Sequence, residues 1–241
     1  MAAELDRRDF LRTAAIGAAL AAAPAAAAPP VGQEAATAAH PHHLQHESGV
    51  TEARLFLTDP EAAFLSAVVE VLIPADQTGP GGVEAGVIAY MDRQLAGAWG
   101  NGARMYLDGP WSTGTPQQGY QLPLTPARLF RIAIPEVEKV VGASDHKNFA
   151  ELTPARRNEV LVGLDSGDVK LDTVPGPTFM AILLSAAVEG YFSDPAYGGN
   201  RNMAAWRMIG FPGARGAYAD DIVASRGKPF RADPVSLADL Q

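Results

Sequence analysis

The stretch that most limits the fold is 177–192, in which Phe179, Met180, Ile182, Leu183, Leu184, Ala187 and Val188 leave hardly any polar face. A helix at a protein surface shows an apolar stripe and a charged one, whereas a helix apolar all round is enclosed. The run is therefore expected to be the central helix of a bundle. The flanking sequence supplies the other helices.

Thr58-Asp59-Pro60-Glu61 has the capping-box pattern, and Phe64, Leu65, Val68, Val69, Leu72 and Ile73 follow at helical spacing until Pro74 stops it. Residues 76–82 read as a turn-rich loop. Val87, Ile88, Met91 and Leu95 mark a second helix over about 83–98. Thr125-Pro126 opens a third, with Leu129, Phe130, Ala133, Val137 and Val140 inward and a kink expected at Pro135. Phe149 and Leu152 lead into Thr153-Pro154, the start of a fourth helix that buries Val160, Leu161 and Leu164. No run alternates with period two long enough to predict a strand. The fold class is all-α, an irregular helical bundle with long loops. The stretch 99–124, rich in Gly, Pro, Ser, Thr and Gln, carries Tyr106, Trp111 and Tyr120 without any period of its own. Loops of this length inside a domain are commonly functional, and aromatics on them must pack on their own domain or on a partner.

The N-terminus is organised differently. Arg7-Arg8, then Phe10-Leu11, then an Ala-rich apolar run and small residues are laid out as an export signal and resemble the twin-arginine (Tat) type, with Asp6 where Ser or Thr is usual. The apolar run is too short and too Ala-rich for a comfortable membrane span. The expected organisation is a Tat signal peptide over 1–28, a flexible linker over 29–54 and a helical domain over 55–241. Cleavage after Ala27 satisfies the small-x-small rule. His40, His42, His43 and His46 lie in the linker, where a solvated tether is preferred to a metal site.

Composition excludes much chemistry. The 241 residues include no Cys, so thiolate zinc sites, iron–sulfur clusters and covalent c-type haem are ruled out. A net charge of −8 without a basic block argues against nucleic acid as a partner. P-loop, dinucleotide-binding and nucleophile-elbow patterns are missing. With His146 the single histidine beyond the linker, a Ser-His-Asp triad is barely available. Asp165/Asp168 and Asp220-Asp221 read as solvated carboxylates. Glu189, within the most apolar run, is expected to be a buried, hydrogen-bonded carboxylate joining two segments. No catalytic, cofactor-binding or metal-binding residue is assigned.

From Glu189 the chain reads E-G-Y-F-S-D-P-A-Y-G-G-N-R-N-M-A-A-W-R-M-I-G-F-P-G. This string resembles the C-terminal signature of the gluconate 2-dehydrogenase subunit 3 family, the small subunits of membrane-bound flavin-dependent sugar and polyol dehydrogenases. The likeness also runs through Leu72–Asp76 and 149–153. It implies a heterooligomer: a large subunit of the glucose–methanol–choline type holding FAD, often a multihaem cytochrome c, and a small subunit that aids export by the Tat translocase and assembly. In this chain the expected partner contacts are Tyr197, Gly198, Gly199, Asn200, Trp206, Phe211, Pro212 and Trp111, with Arg7, Arg8, Phe10 and Leu11 as the signal. Trp206 is as well read as internal packing.

The residues agree with that reading independently, because a signal for folded cargo sits on a chain without a recognisable cofactor motif. The expected function is a non-catalytic accessory subunit, periplasmic or otherwise extracytoplasmic, with no cofactor of its own and FAD in its partner. The rivals are a stand-alone exported helical enzyme, using Glu189 and Asp76 as acids, and a periplasmic scaffold.

Overall fold

The computed structural model describes residues 53–240 apart from Thr113, within the compact unit Thr51–Gln241. The signal expected over 1–28, with Arg7, Arg8, Phe10 and Leu11, and nearly all of the linker lie outside the described residues. The described chain is all-α, with helices α1 (Asp59–Leu72), α2 (Val87–Ala96), α3 (Pro126–Asp145), α4 (Pro154–Ser166), α5 (Gly176–Phe192), α6 (Ala204–Ile209) and α7 (Ala219–Ala224). Among the described residues β-structure is limited to two isolated bridges.

Three of the long helices, α1, α3 and α4, start where side-chain chemistry satisfies terminal amides. At α1, Glu61 Oε2 accepts from Thr58 N at 2.8 Å, closing the capping box. Thr125 accepts from Arg128 N at α3, and Thr153 accepts from Arg156 N at α4. α2 begins at Val87, four residues later than the spacing predicts. Gly86 stands at φ +86°, a conformation that breaks helical propagation, so residues 83–86 form turns instead.

α5 packs against α1, α2, α3, α4 and α6, the central position its composition predicts. Its inner face is Phe179, Met180, Leu183, Ala186, Ala187 and Tyr191, with Phe179 edge-on to Phe130 of α3 at 5.5 Å. The helix is not enclosed all round, however: Ala181, Ser185, Val188 and Glu189 face water. Leu129, Phe130, Ala133 and Val137 are buried as expected on α3. Val141, rather than Val140, completes that face, with Ile134 beside it. α3 continues through Pro135, which is exposed. Within 99–124, Tyr120 packs on the core and donates to Leu124 O at 2.7 Å, whereas Tyr106 and Trp111 are exposed.

The entry into the bundle is held by an acid that the sequence does not advertise. Asp92, buried on α2, accepts from the backbone amides of Leu55 (2.7 Å), Phe56 (3.0 Å) and Leu57 (2.7 Å). Arg131 of α3 lies over the Phe56 ring at 4.0 Å, donates to Phe56 O and pairs with Glu61. Burial raises the pKa of Glu61, but hydrogen bonds from Arg131 and Thr58 outweigh it and hold the carboxyl below its ordinary value. One carboxylate thus ties residues 55–57 to α2, and a second ties the start of α1 to α3.

Candidate functional site

The signature string begins where α5 ends. Trp206 Nε1 donates to Phe192 O at 2.7 Å, so α6 is hung directly from the last turn of α5. Asp194 accepts from Ala196 N at 2.9 Å and starts a 3₁₀ turn over Pro195–Tyr197, after which Gly198 turns the chain back. Gly199 then passes so close to α5 that a Cβ there would stand 2.0 Å from Gly190 O. No other residue type fits that approach.

Asn200 follows with no exposed surface and φ +44°. Its Nδ2 donates to Ser193 O at 3.0 Å and its Oδ1 accepts from Ala205 N at 2.9 Å, so one side chain closes the loop and satisfies an amide at the start of α6. A left-handed backbone suits Asn better than most residues, and burial requires that its amide be paired on both sides. Trp206 is 6% exposed and meets Phe211 edge-on at 5.1 Å.

The expected contact residues therefore divide. Gly199, Asn200 and Trp206 are spent on internal packing, which is the second of the two readings open for Trp206. Gly198 and Pro212 are half-buried. Tyr197 and Phe211 remain exposed on this surface, and Trp111 is exposed on the separate 99–124 loop.

Beyond the signature, residues 215–241 are, with 99–124, the extended segments expected from the sequence to enclose a partner. Ser236 Oγ donates to Asp194 Oδ1 at 2.7 Å and Leu237 N donates to Oδ2 at 2.8 Å, so a buried acid of the signature clasps the C-terminal segment. Beside it Ala214 N donates to Val235 O at 2.7 Å and Val235 N to Pro212 O at 3.2 Å. Gly213, at φ +76°, has no room for a Cβ, which would fall 2.1 Å from Val235 O. The two contacts close 214–235 into a loop tied at its base. Asp194-Pro195 belongs to the string that carries the family resemblance, but its partners lie 42 and 43 residues away in a stretch without periodicity.

Exposed apolar groups concentrate here. Among the described residues fifteen large apolar side chains are exposed, and ten of them lie at or after position 197, including Tyr197, Ile209, Phe211, Ile222 and Val223. Surface apolar residues scattered singly need no explanation, whereas a contiguous apolar patch points to an interaction surface.

The acids behave as structural groups. Glu189 is exposed rather than buried, a consequence of its place on the outer face of α5, yet it does join two segments. Tyr90 Oη donates to Glu189 Oε2 at 3.3 Å, and Ser185 Oγ donates to Oε1 at 2.8 Å. Burial, then the neighbouring Glu189 carboxylate, push the Tyr90 phenol up to about 12, so it stays a neutral donor at physiological pH. Asp76 organises a tight turn by accepting from Thr78 N at 2.7 Å and Gly79 N at 3.2 Å. Among the described residues no three His, Asp or Glu side chains stand close enough to hold a metal ion. A shallow groove of about 280 Å³ between Phe56, Ala127, Arg128, Arg131 and Ile132 contains neither candidate acid.

These features define a helical chain whose chemistry goes into shaping a surface. The comparison with known families agrees: the model of Gluconate 2-dehydrogenase subunit 3 matches residues 59–213, and the chain belongs to that family. It is a subunit family of a multi-subunit dehydrogenase, so membership implies a catalytic partner chain. No curated protein and no solved structure matches the chain.

Proposed function

We propose that this protein is the non-catalytic accessory subunit of an exported FAD-dependent sugar or alcohol dehydrogenase. It carries the Tat signal for the assembly, and it aids export, folding and stability of the catalytic flavoprotein. The observation that carries the reading is the crowding of exposed apolar side chains at and beyond the family signature. A chain acting alone has no reason to keep Ile222 68% and Val223 77% exposed within one short helix. Family membership supports a dehydrogenase partner, and Arg7-Arg8 with Phe10-Leu11 supports export of the pair in a folded state. FAD belongs to the large, glucose–methanol–choline type subunit in this reading, and a multihaem cytochrome c is a further candidate member.

The test is expression of the tagged full chain in its native host, followed by cell fractionation. The pair is expected to purify together, yellow, from the extracytoplasmic fraction. With Arg7-Arg8 changed to Lys-Lys, the flavin chain is expected to stay in the cytoplasm. Unaltered export of the flavoprotein in that variant would remove the escort role, and sugar oxidation by this chain alone would remove the non-catalytic one.

A further inference from the structure

The clasp at Asp194 has no part in holding the helical core. Its partners, Ser236 and Leu237, belong to a segment that lies outside the family-matched span, which ends at Gly213. We propose that Asp194 is a latch that shapes residues 214–235 into a preformed loop, and that this loop is the element by which the chain grips its catalytic subunit. The inference rests on the accessory-subunit reading above and names the part of the chain that makes the contact.

Three observations carry it. The loop is closed at its base twice, by the Gly213–Val235 pairing and by the buried Asp194 carboxylate, which accepts from Ala196 N, Ser236 Oγ and Leu237 N. Its interior is also organised: Arg215 pairs with Asp221 at 3.4 Å and lies 5.5 Å over the Phe230 ring. Yet Tyr218, Ile222, Val223 and Phe230 project with 41%, 68%, 77% and 37% of their surface exposed. Ordered backbone under apolar side chains that the described residues leave exposed is a preorganised binding element. Fixing such a loop beforehand removes the ordering cost from the binding step.

The size also fits. Residues 214–240 are mostly exposed, and a standard protein–protein interface uses about 20–30 residues a side. The occupant implied by the family is the catalytic dehydrogenase subunit. The loop carries four Arg and Lys residues against three Asp, so the contact it offers is apolar anchoring with a nearly balanced polar rim rather than charge attraction.

The test uses the tagged full chain expressed in its native host, with flavin absorbance per accessory chain after affinity purification as the readout. Ile222→Asp with Val223→Asp is expected to lower retained flavin at least tenfold. Val162→Asp, at another exposed apolar position on α4, is expected to leave it unchanged. Asp194→Ala is expected to leave the far-ultraviolet helical signal intact, to speed tryptic cleavage at Arg226 and Arg231 at least tenfold, and to lower retained flavin several-fold. Full retention in the Ile222/Val223 variant overturns the inference and leaves the accessory-subunit reading standing. Unchanged cleavage in Asp194→Ala overturns the latch. Absence of any flavoprotein with the unmodified chain overturns the accessory reading and this inference together.

Discussion

The bundle α1–α5 and the stretch 193–240 obey opposite rules. In the bundle, large apolar groups such as Phe64, Phe130, Phe149 and Phe179 are almost wholly buried, and three of the five helices begin at Thr caps. In 193–240 helices are six residues long, Asn200, Asn202 and Met203 stand at positive φ, and apolar side chains point outward. The first region is stabilised by the amount of surface it hides. The second is held by a few acceptors: Asn200 Oδ1 and Phe192 O take one donor each, and the Asp194 carboxylate takes three. A region with so few anchors and so much exposed apolar surface is shaped for something outside the chain.

The largest expected effect sharpens that division. Phe130→Ala empties a fully buried site beside Phe179 and is expected to cost about 3–5 kcal/mol. Denaturant unfolding followed by circular dichroism reads it. A loss under about 1 kcal/mol would mean that the bundle is not the packed half of the molecule.

Glu61→Gln has a smaller expected cost, about 1 kcal/mol at neutral pH, because Arg131 is partly solvated and the pair is screened. The carboxyl titrates below its ordinary value when folded, so it stabilises the fold above the unfolded pKa. That contribution fades as pH falls through the folded pKa. The gap between variant and wild type should therefore close on acidification; a gap constant with pH would show that the charge of Glu61 contributes nothing.

The smallest global effect is expected from Gly213→Ala. The added Cβ meets Val235 O in a backbone conformation that Ala resists, so amide exchange at Ala214 should accelerate strongly. The melting of the bundle should move by no more than about 0.5 kcal/mol. A concerted drop in both would merge the two regions into one cooperative unit.

The same division explains what the sequence makes legible. α1, α3, α4 and α5 could be read from apolar spacing and from Thr58, Thr125 and Thr153, because both signals are local. The start of α2 was misplaced because the apolar spacing says nothing about the left-handed turn at Gly86. Glu189 was expected inside because its neighbours are apolar, but a helix places consecutive residues on different faces. Asp92 looks like any acid on an amphipathic helix; its partners are backbone amides 35–37 residues earlier, and amides have no sequence signature. At the signature, Asn200 and the paired glycines announced a tight turn, whereas Ser236 meeting Asp194 depends on how the whole C-terminal segment returns.

The Asp92 anchor has a mechanical side. Tension applied to the chain ahead of Leu55 reaches three amides that grip a carboxylate on a different helix, before it reaches the first turn of α1. The load enters the middle of the assembly as shear across several bonds at once, so α1 is not peeled from its end, and a tug on the leading end is borne by the body as a whole.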